Sequence, residues 1–254
     1  MVDLFAGAGG FGLGFQLSDF NLICCLEKDD WAVQTLQANH SVSCRIIHGD
    51  IADYQTKEVI NSVCADKPDV IIGGPPCQGF SLACPPKSPD DPRNGLFEKF
   101  VRWVEVLKPQ VFVMENVKGL LSRLNSDGEK VIEVMVERFQ SKGYNIEIWQ
   151  LNAAEYGVPQ IRERIFIVGN LYCKDIGKPL TTHYIEKEIS RTTRSAITVG
   201  QAIGDLPEIH AGEGSEVQDY TLQPTNEFQF WARADSTEVY NHIAMKHTQR
   251  LIER

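Results

Sequence analysis

One cysteine in this sequence stands behind two prolines, in the segment Gly74-Pro75-Pro76-Cys77-Gln78-Gly79-Phe80-Ser81. Each proline ring fixes its own φ, so the backbone that carries Cys77 is stiff, which suits a nucleophile that must be held still. The commoner fate of a cysteine is burial in a core. That plainer reading serves Cys24, Cys25, Cys44 and Cys64, which lie on or beside apolar runs, and also Cys84 and Cys173. Cys77 differs because of a second segment, Glu115-Asn116-Val117, which follows a later apolar run at the equivalent point. Neighbouring strands lie about 4.8 Å apart. If the two runs are neighbouring strands, the thiol and the carboxyl converge above their carboxyl ends, where open α/β sheets bind ligands. A thiol beside a carboxyl suits nucleophilic attack coupled to proton donation; Glu115 by itself reads as a solvated strand end.

A third segment, Gln160-Ile161-Arg162-Glu163-Arg164, places two arginines at i and i+2. On an extended chain they point the same way, which suits a phosphate or a planar base carbonyl; the plainer alternative is an edge-strand charge pair. The six histidines lack metal-ligand spacing and no Cys-x-x-Cys occurs, so no metal is expected.

The fourth feature is Gly7-Ala8-Gly9-Gly10-Phe11-Gly12, a G-x-G-x-x-G loop between a strand and a helix, with Glu27 twenty residues beyond its first glycine. This is the spacing of a nucleotide-binding crossover. The glycines permit a tight turn and close approach to a ligand, and the acid is placed to accept from a ribose diol. Asp50, at the end of the next strand, is placed for an adenine edge. The loop alone leaves open a dinucleotide, S-adenosylmethionine, or no ligand at all.

These residues need a scaffold that brings strand ends together. Apolar runs at residues 1–5, 21–26, 44–47, 69–72, 111–114, 146–151 and 165–169 predict strands. Helical spacing predicts helices near 31–39, 59–64, 96–107 and 131–139, stopped by Pro109 after the third and Gly143 after the fourth. The alternation predicts an α/β, doubly wound, mostly parallel Rossmann-like sheet. The last two strands have too little chain between them for a parallel crossover and are expected to be antiparallel. Residues 199–206 predict a short helix and 238–254 a longer one. The expected domains are a catalytic one over 1–210 and a helical extension over 211–254.

The 254 residues, 43% of them hydrophobic, suffice for one large domain or two small ones. No apolar run approaches the ~20 residues of a membrane span, and there is no signal-peptide pattern. The scattered, odd number of cysteines reads as reduced cytosolic thiols. A net charge of −9, with the acid excess heaviest in residues 1–100, counts at first against a nucleic-acid partner.

The four segments together resemble the DNA (cytosine-5) methyltransferases, in that family's order and at similar separations, closely over about residues 1–170 and loosely over 180–254. The resemblance implies an S-adenosylmethionine pocket lined by Phe5, Ala6, Gly7, Gly9, Gly10, Phe11, Glu27, Lys28, Asp50, Ile51, Pro76 and Leu96. In it Glu27 would hold the ribose hydroxyls, and Asp50 with Ile51 the adenine. Pro76, Gln78, Ser81, Asn116 and Val117 would face the target base. Cys77 would attack C6 of a cytosine flipped out of double-stranded DNA. Glu115 would bond N3 and the exocyclic amine and protonate N3, Arg164 would contact O2, and Arg162 would contact the phosphate backbone or Glu115. The residue types fit the chemistry. Cytosine C5 is a poor nucleophile until a thiolate adds at C6, and protonation at N3 neutralises the charge that addition would leave on the ring. The resemblance also implies a bacterial restriction-modification enzyme, cytoplasmic and nucleoid-associated.

One departure is large. The family's target-recognition domain, and the Arg-rich and Gly-Asn motifs after it, are not in this sequence; Asn241-His242 through Arg250 resembles the stretch that leads into that domain. The expectation is either a truncated chain or the catalytic subunit of a split enzyme, weakly active alone, with a basic second subunit that carries the recognition domain. Three rivals remain on sequence. A tRNA cytosine-5 methyltransferase shares the core motifs, an inactive cofactor-binding module would not need Cys77, Glu115 and Arg164, and an NAD-dependent oxidoreductase leaves the Pro-Pro-Cys and Glu-Asn-Val segments unexplained.

Overall fold

Short strands without an exposed face make the middle of the sheet. The computed structural model describes residues 1–39, 44–76, 95–125, 127–185, 194–234 and 236–248. In chain order the first elements are β1 (Val2–Leu4), α1 (Gly10–Gln16), β2 (Cys24–Glu27), α2 (Asp30–Asn39), β3 (Arg45–His48) and α3 (Lys57–Val63). They continue with β4 (Val70–Gly73), α4 (Leu96–Leu107), β5 (Val111–Val117), α5 (Val131–Gln140), β6 (Asn145–Asn152) and β7 (Glu163–Asn170). β1 and β4 are buried at every position, as strands covered on both faces must be.

The seven strands lie in the order β3-β2-β1-β4-β5-β7-β6. β3 through β5 pair in parallel, and β7 runs antiparallel to β5, with Val111 opposite Asn170 and Val117 opposite Arg164. This is the mostly parallel, doubly wound sheet that the alternation predicts. The antiparallel pairing falls inside the sheet, because β7 inserts between β5 and β6.

Each face has its own core. On one, Leu4, Leu26 and Ile71 pack with Ile60 of α3, Phe100 and Trp103 of α4 and Phe139 of α5. On the other, Cys25 and Ile72 pack with Leu36 of α2 and with Phe11 and Phe15 of α1. Phe112 stacks on Phe139 at 4.1 Å between centroids, and β7 can pass over it only because residue 169 is glycine: a Cβ there would lie 2.0 Å from the ring. Among the described residues no helix is long and apolar enough to cross a membrane.

The chain divides into two compact units, Met1–Leu151 with Glu163–Pro179, and Asn152–Arg162 with Leu180–Arg254. The division therefore does not fall near residue 210, where the sequence suggested it. The reason is that residues 152–162, between β6 and β7, bond to the segment after 180: Thr182 N–H donates to the Glu155 carbonyl at 3.0 Å. The second unit holds β8 (His183–Tyr184), β9 (Arg194–Ser195), α6 (Val199–Ile203), β10 (Gly214–Asp219), α7 (Glu227–Arg233) and β11 (Glu238–Ile243). The expected long helix over 238–254 is corrected by β11, which pairs antiparallel with β10. Val239 is the one buried residue of β11, and Asn241 at φ +56° does not continue a right-handed helix. Among the described residues of 211–254 helix is thus confined to α7; residues 235 and 249–254 lie outside them.

Polar contacts hold this unit. Arg233 bonds the buried Asp205 at 2.7 Å and stacks over the Tyr220 ring, while buried Gln229 donates to the Gln201 carbonyl. Among the described residues Val239 is its one large buried hydrophobic side chain; Phe230, Trp231 and Tyr240 are exposed.

Candidate active site

β1 ends by turning its chain over the sheet edge. Phe5 takes φ +61°, an uncommon conformation for a bulky side chain that costs roughly 1–3 kcal/mol. It is held there by packing on the core. Gly7 (φ +56°) and Gly9 (φ +93°) complete the turn into α1. Glu27, at the end of neighbouring β2, clamps this loop. Gly7 N–H donates to its Oε2 at 2.8 Å, and the Lys28 and Asp29 amides donate to its Oε1 at 2.8 and 2.9 Å. At the end of β3, Asp50 caps a 3-10 turn by accepting from the Ala52 amide at 2.9 Å and pairs with Lys28 at 3.4 Å. The Ala52 amide first, then Lys28 and Lys99, hold the Asp50 carboxyl below its ordinary range.

These strand ends enclose a cavity of about 210 Å³. Of the residues expected to bind a cofactor, Phe5, Glu27, Lys28, Asp50, Ile51, Pro76 and Leu96 line it. Ala6, Gly7, Gly9, Gly10 and Phe11 do not; they form the loop and the start of α1 beside it. Leu26, Gly49 and Gly74 also line it and escaped the sequence reading. Each sits next to a residue the motifs single out, so the register of the strand ends was the missing signal. The lining suits a nucleoside: apolar walls from Phe5, Ile51 and Leu96 for a flat base, and carboxylates to accept from hydroxyl and amine groups.

Next to the cavity, β4 and β5 are parallel neighbours, with Gly73 opposite Met114. Glu115 lies inside β5, which runs on to Val117. A Cβ on Gly74 would come 3.3 Å from Glu115 Oε2, so this glycine leaves the carboxylate room. Buried Asn116 ties the two strands by donating from Nδ2 to the Pro75 carbonyl at 3.4 Å, while its Oδ1 accepts from the Val117 amide. Val117 faces Arg164 across the ladder. The guanidinium at Glu115 is that of Arg164, Nε to Oε1 at 2.8 Å; the sequence reading had offered Arg162 for that place and Arg164 for the base carbonyl. Arg162 lies ahead of β7, exposed, in the second unit, its amide donating to Asn152 Oδ1. Such a partly exposed ion pair contributes at most about 1 kcal/mol to stability. Its significance is orientation of the carboxylate. Cys77, Gln78 and Ser81 lie outside the described residues; Pro76 is the last described residue before Cys77.

The family model of the C-5 cytosine-specific DNA methylases matches residues 1–250. The chain belongs to that family. M.DdeI, a type II methyltransferase of Desulfomicrobium norvegicum, is 44% identical over the whole of this chain, which covers 59% of M.DdeI. M.AquIA of a Picosynechococcus species is 38% identical over 82% of this chain, and there the match covers 88% of the relative. A crystal structure described as a DNA modification methyltransferase encoded within an Escherichia coli prophage superposes on the whole chain with a TM-score of 0.76 at 26% identity, covering 73% of that protein. The chain spans 59% or 60% of the length of three curated relatives it matches. Neither the tRNA branch nor an inactive module is favoured by relatives that are type II methyltransferases.

Membership of this methylase family makes Glu27 a direct target for test. Its carboxylate accepts three backbone N–H bonds, one of which fixes the loop. Glu27→Gln replaces one oxygen by a donor that faces an amide donor. A hydrogen bond to a charged group is worth about 1.5–3 kcal/mol. On the expectation that this cavity takes S-adenosylmethionine, isothermal titration of Glu27→Gln should show affinity reduced about tenfold or more; unchanged affinity would remove Glu27 from the expected site.

Proposed function

We propose that this chain is the catalytic region of an S-adenosylmethionine-dependent DNA (cytosine-5)-methyltransferase of a restriction-modification system. The observation that carries the reading is the register of β4 and β5, with Pro75 and Pro76 beside a Glu115 that Arg164 holds at 2.8 Å. Cys77 follows directly in sequence, so a nucleophile and a proton-handling carboxylate belong to adjacent strand ends.

Phe5, Ile51 and Leu96 would hold the adenine of the cofactor, Asp50 its amine, and Glu27 its ribose; when bound, the cofactor supplies an electrophilic methyl group. Cys77 adds to C6 of the flipped cytosine, and Glu115 delivers the proton to N3 that keeps the ring neutral. Arg164 fixes the Glu115 carboxylate in one orientation throughout and gives the base O2 a donor within reach. Once C5 is substituted, loss of its proton and expulsion of the Cys77 thiolate release the product.

Double-stranded DNA is the proposed substrate, and a second body carrying target recognition the proposed partner. One observation supports the partner: the second unit exposes Phe230 and Trp231 over little core of its own. The test is transfer of labelled methyl from S-adenosylmethionine to duplex DNA and to tRNA, with and without the product of the following reading frame. The reading expects label at C5 of cytosine in DNA, strongest with both polypeptides. Label in tRNA alone, or in neither, would overturn it.

A further inference from the structure

Asp3 lies on β1, an interior strand of the sheet paired on both sides, directly beneath the glycine loop. Asp3 is 1% exposed, and among the described residues neither carboxyl oxygen has a hydrogen-bond partner. It does not line the cavity. Above it sits Gly12 of α1, where a Cβ would meet Asp3 Oδ2 at 3.0 Å and Leu22 at 3.3 Å. Helix α1 thus rests against this carboxyl with only a glycine between them.

We propose that Asp3 is a positioning residue, held as an uncharged acid on which the start of α1 is seated, and that its ionisation unseats the glycine loop and weakens cofactor binding. The second half rests on the cofactor reading given above.

The surroundings favour the uncharged form. Cys25 of β2 is in register beside Asp3, with the Cys44 sulfur 3.5 Å from the Cys25 sulfur, and Ile72 of β4 lies on the other side. Helix α1 (Gly10–Gln16) carries no titratable side chain. Burial chiefly, with Cys44 and Glu27 adding to it, pushes the Asp3 carboxyl up to about 8. The Gly12 amide pulls the other way but does not reach hydrogen-bond geometry. Among the described residues no cation acts on it. A buried carboxylate without a partner is strongly disfavoured. Once ionised, Asp3 can regain water most easily by displacing α1, whose Leu13 is exposed, as is Leu17 just after it, since β1 is paired on both sides. The same loop is tied through the Gly7 amide to Glu27 on the cavity wall, so displacement reaches the pocket.

The sign is definite. The folded chain keeps this proton up to about pH 8, whereas the unfolded chain loses it near 3.8. Stability from this group therefore falls as pH rises between those values and levels off above the higher one. The test uses the 254-residue chain, Asp3→Asn and Asp3→Leu, each nearly the size of the acid, in thermal unfolding and in titration with S-adenosylhomocysteine from about pH 6 to about pH 9.5. Any titration of the ligand itself is common to all three proteins, so their difference is what counts. Wild type should lose about tenfold in affinity relative to the variants by about pH 9.5, and its melting temperature should fall relative to theirs between about pH 4 and about pH 8. Parallel affinity curves, or parallel melting curves, would overturn the proposal. Binding by none of the proteins at any pH would sink the cofactor reading, and with it the link to affinity, while the melting curves alone then decide whether Asp3 is the uncharged acid.

Discussion

Cys77→Ala, in the enzyme assembled with its recognition part, is expected to lower methyl transfer to DNA by at least about 10⁴-fold while duplex binding stays within about twofold. The asymmetry follows from the chemistry. In the proposed mechanism the thiolate makes C5 reactive by forming a bond at C6, and alanine has no group that can form it. Duplex binding by the proposed enzyme would draw on phosphate contacts spread over the whole interface, and would lose little with one small side chain. Labelled methyl transfer and a gel-shift titration on the same oligonucleotide measure the two quantities. Wild type should also form a covalent adduct with 5-fluorocytosine DNA, and the variant none. Methylation by Cys77→Ala at the wild-type rate would end the mechanism.

Gly73→Ala should destabilise the first unit by about 3 kcal/mol or more. Gly73 ends β4, opposite Leu4 of β1 and Met114 of β5. A Cβ there would lie 2.4 Å from the Leu4 carbonyl oxygen and 3.0 Å from the Phe100 ring. The first is backbone of a fully buried strand and cannot swing aside, so β1 and β4 must separate. For a chain of this size such a loss lowers the melting temperature by roughly 10 °C. Activity should fall further than stability alone dictates, because Gly74 and Pro76 of the cavity wall follow directly. A melting temperature within about 2 °C of wild type would show that the strands accommodate the methyl group.

The sheet and most of its helices were legible because local pattern carries them. The helix predicted over 96–107 is α4, Leu96–Leu107, with Phe97, Phe100, Val101, Val104 and Leu107 buried at helical spacing. The strand predicted over 111–114 is only the first half of β5, since Glu115 and Asn116 are polar and pair with β7 all the same. The helix predicted over 238–254 failed for a non-local reason. Ile243 and His247 have helical spacing, but the partner of Glu238–Ile243 is β10, twenty-odd residues earlier, and pairing with it decides the backbone.

The sequence by itself determined the chemistry on offer: a stiffened thiol, a carboxyl, two arginines and a glycine loop with a distant acid, each legible because the residue type and its spacing are local. It also determined the alternation that makes a mostly parallel sheet. Only the tertiary structure decided which groups meet. That Arg164 is the partner of Glu115 depends on β7 entering between β5 and β6 in one register, where a slip of one residue would turn the side chain to the other face. That Glu27 holds the glycine loop depends on β1 and β2 ending level. That Asp3 is a buried acid without a partner depends on α1 closing over it; a single aspartate in an apolar run looks the same in sequence whether it is solvated or sealed.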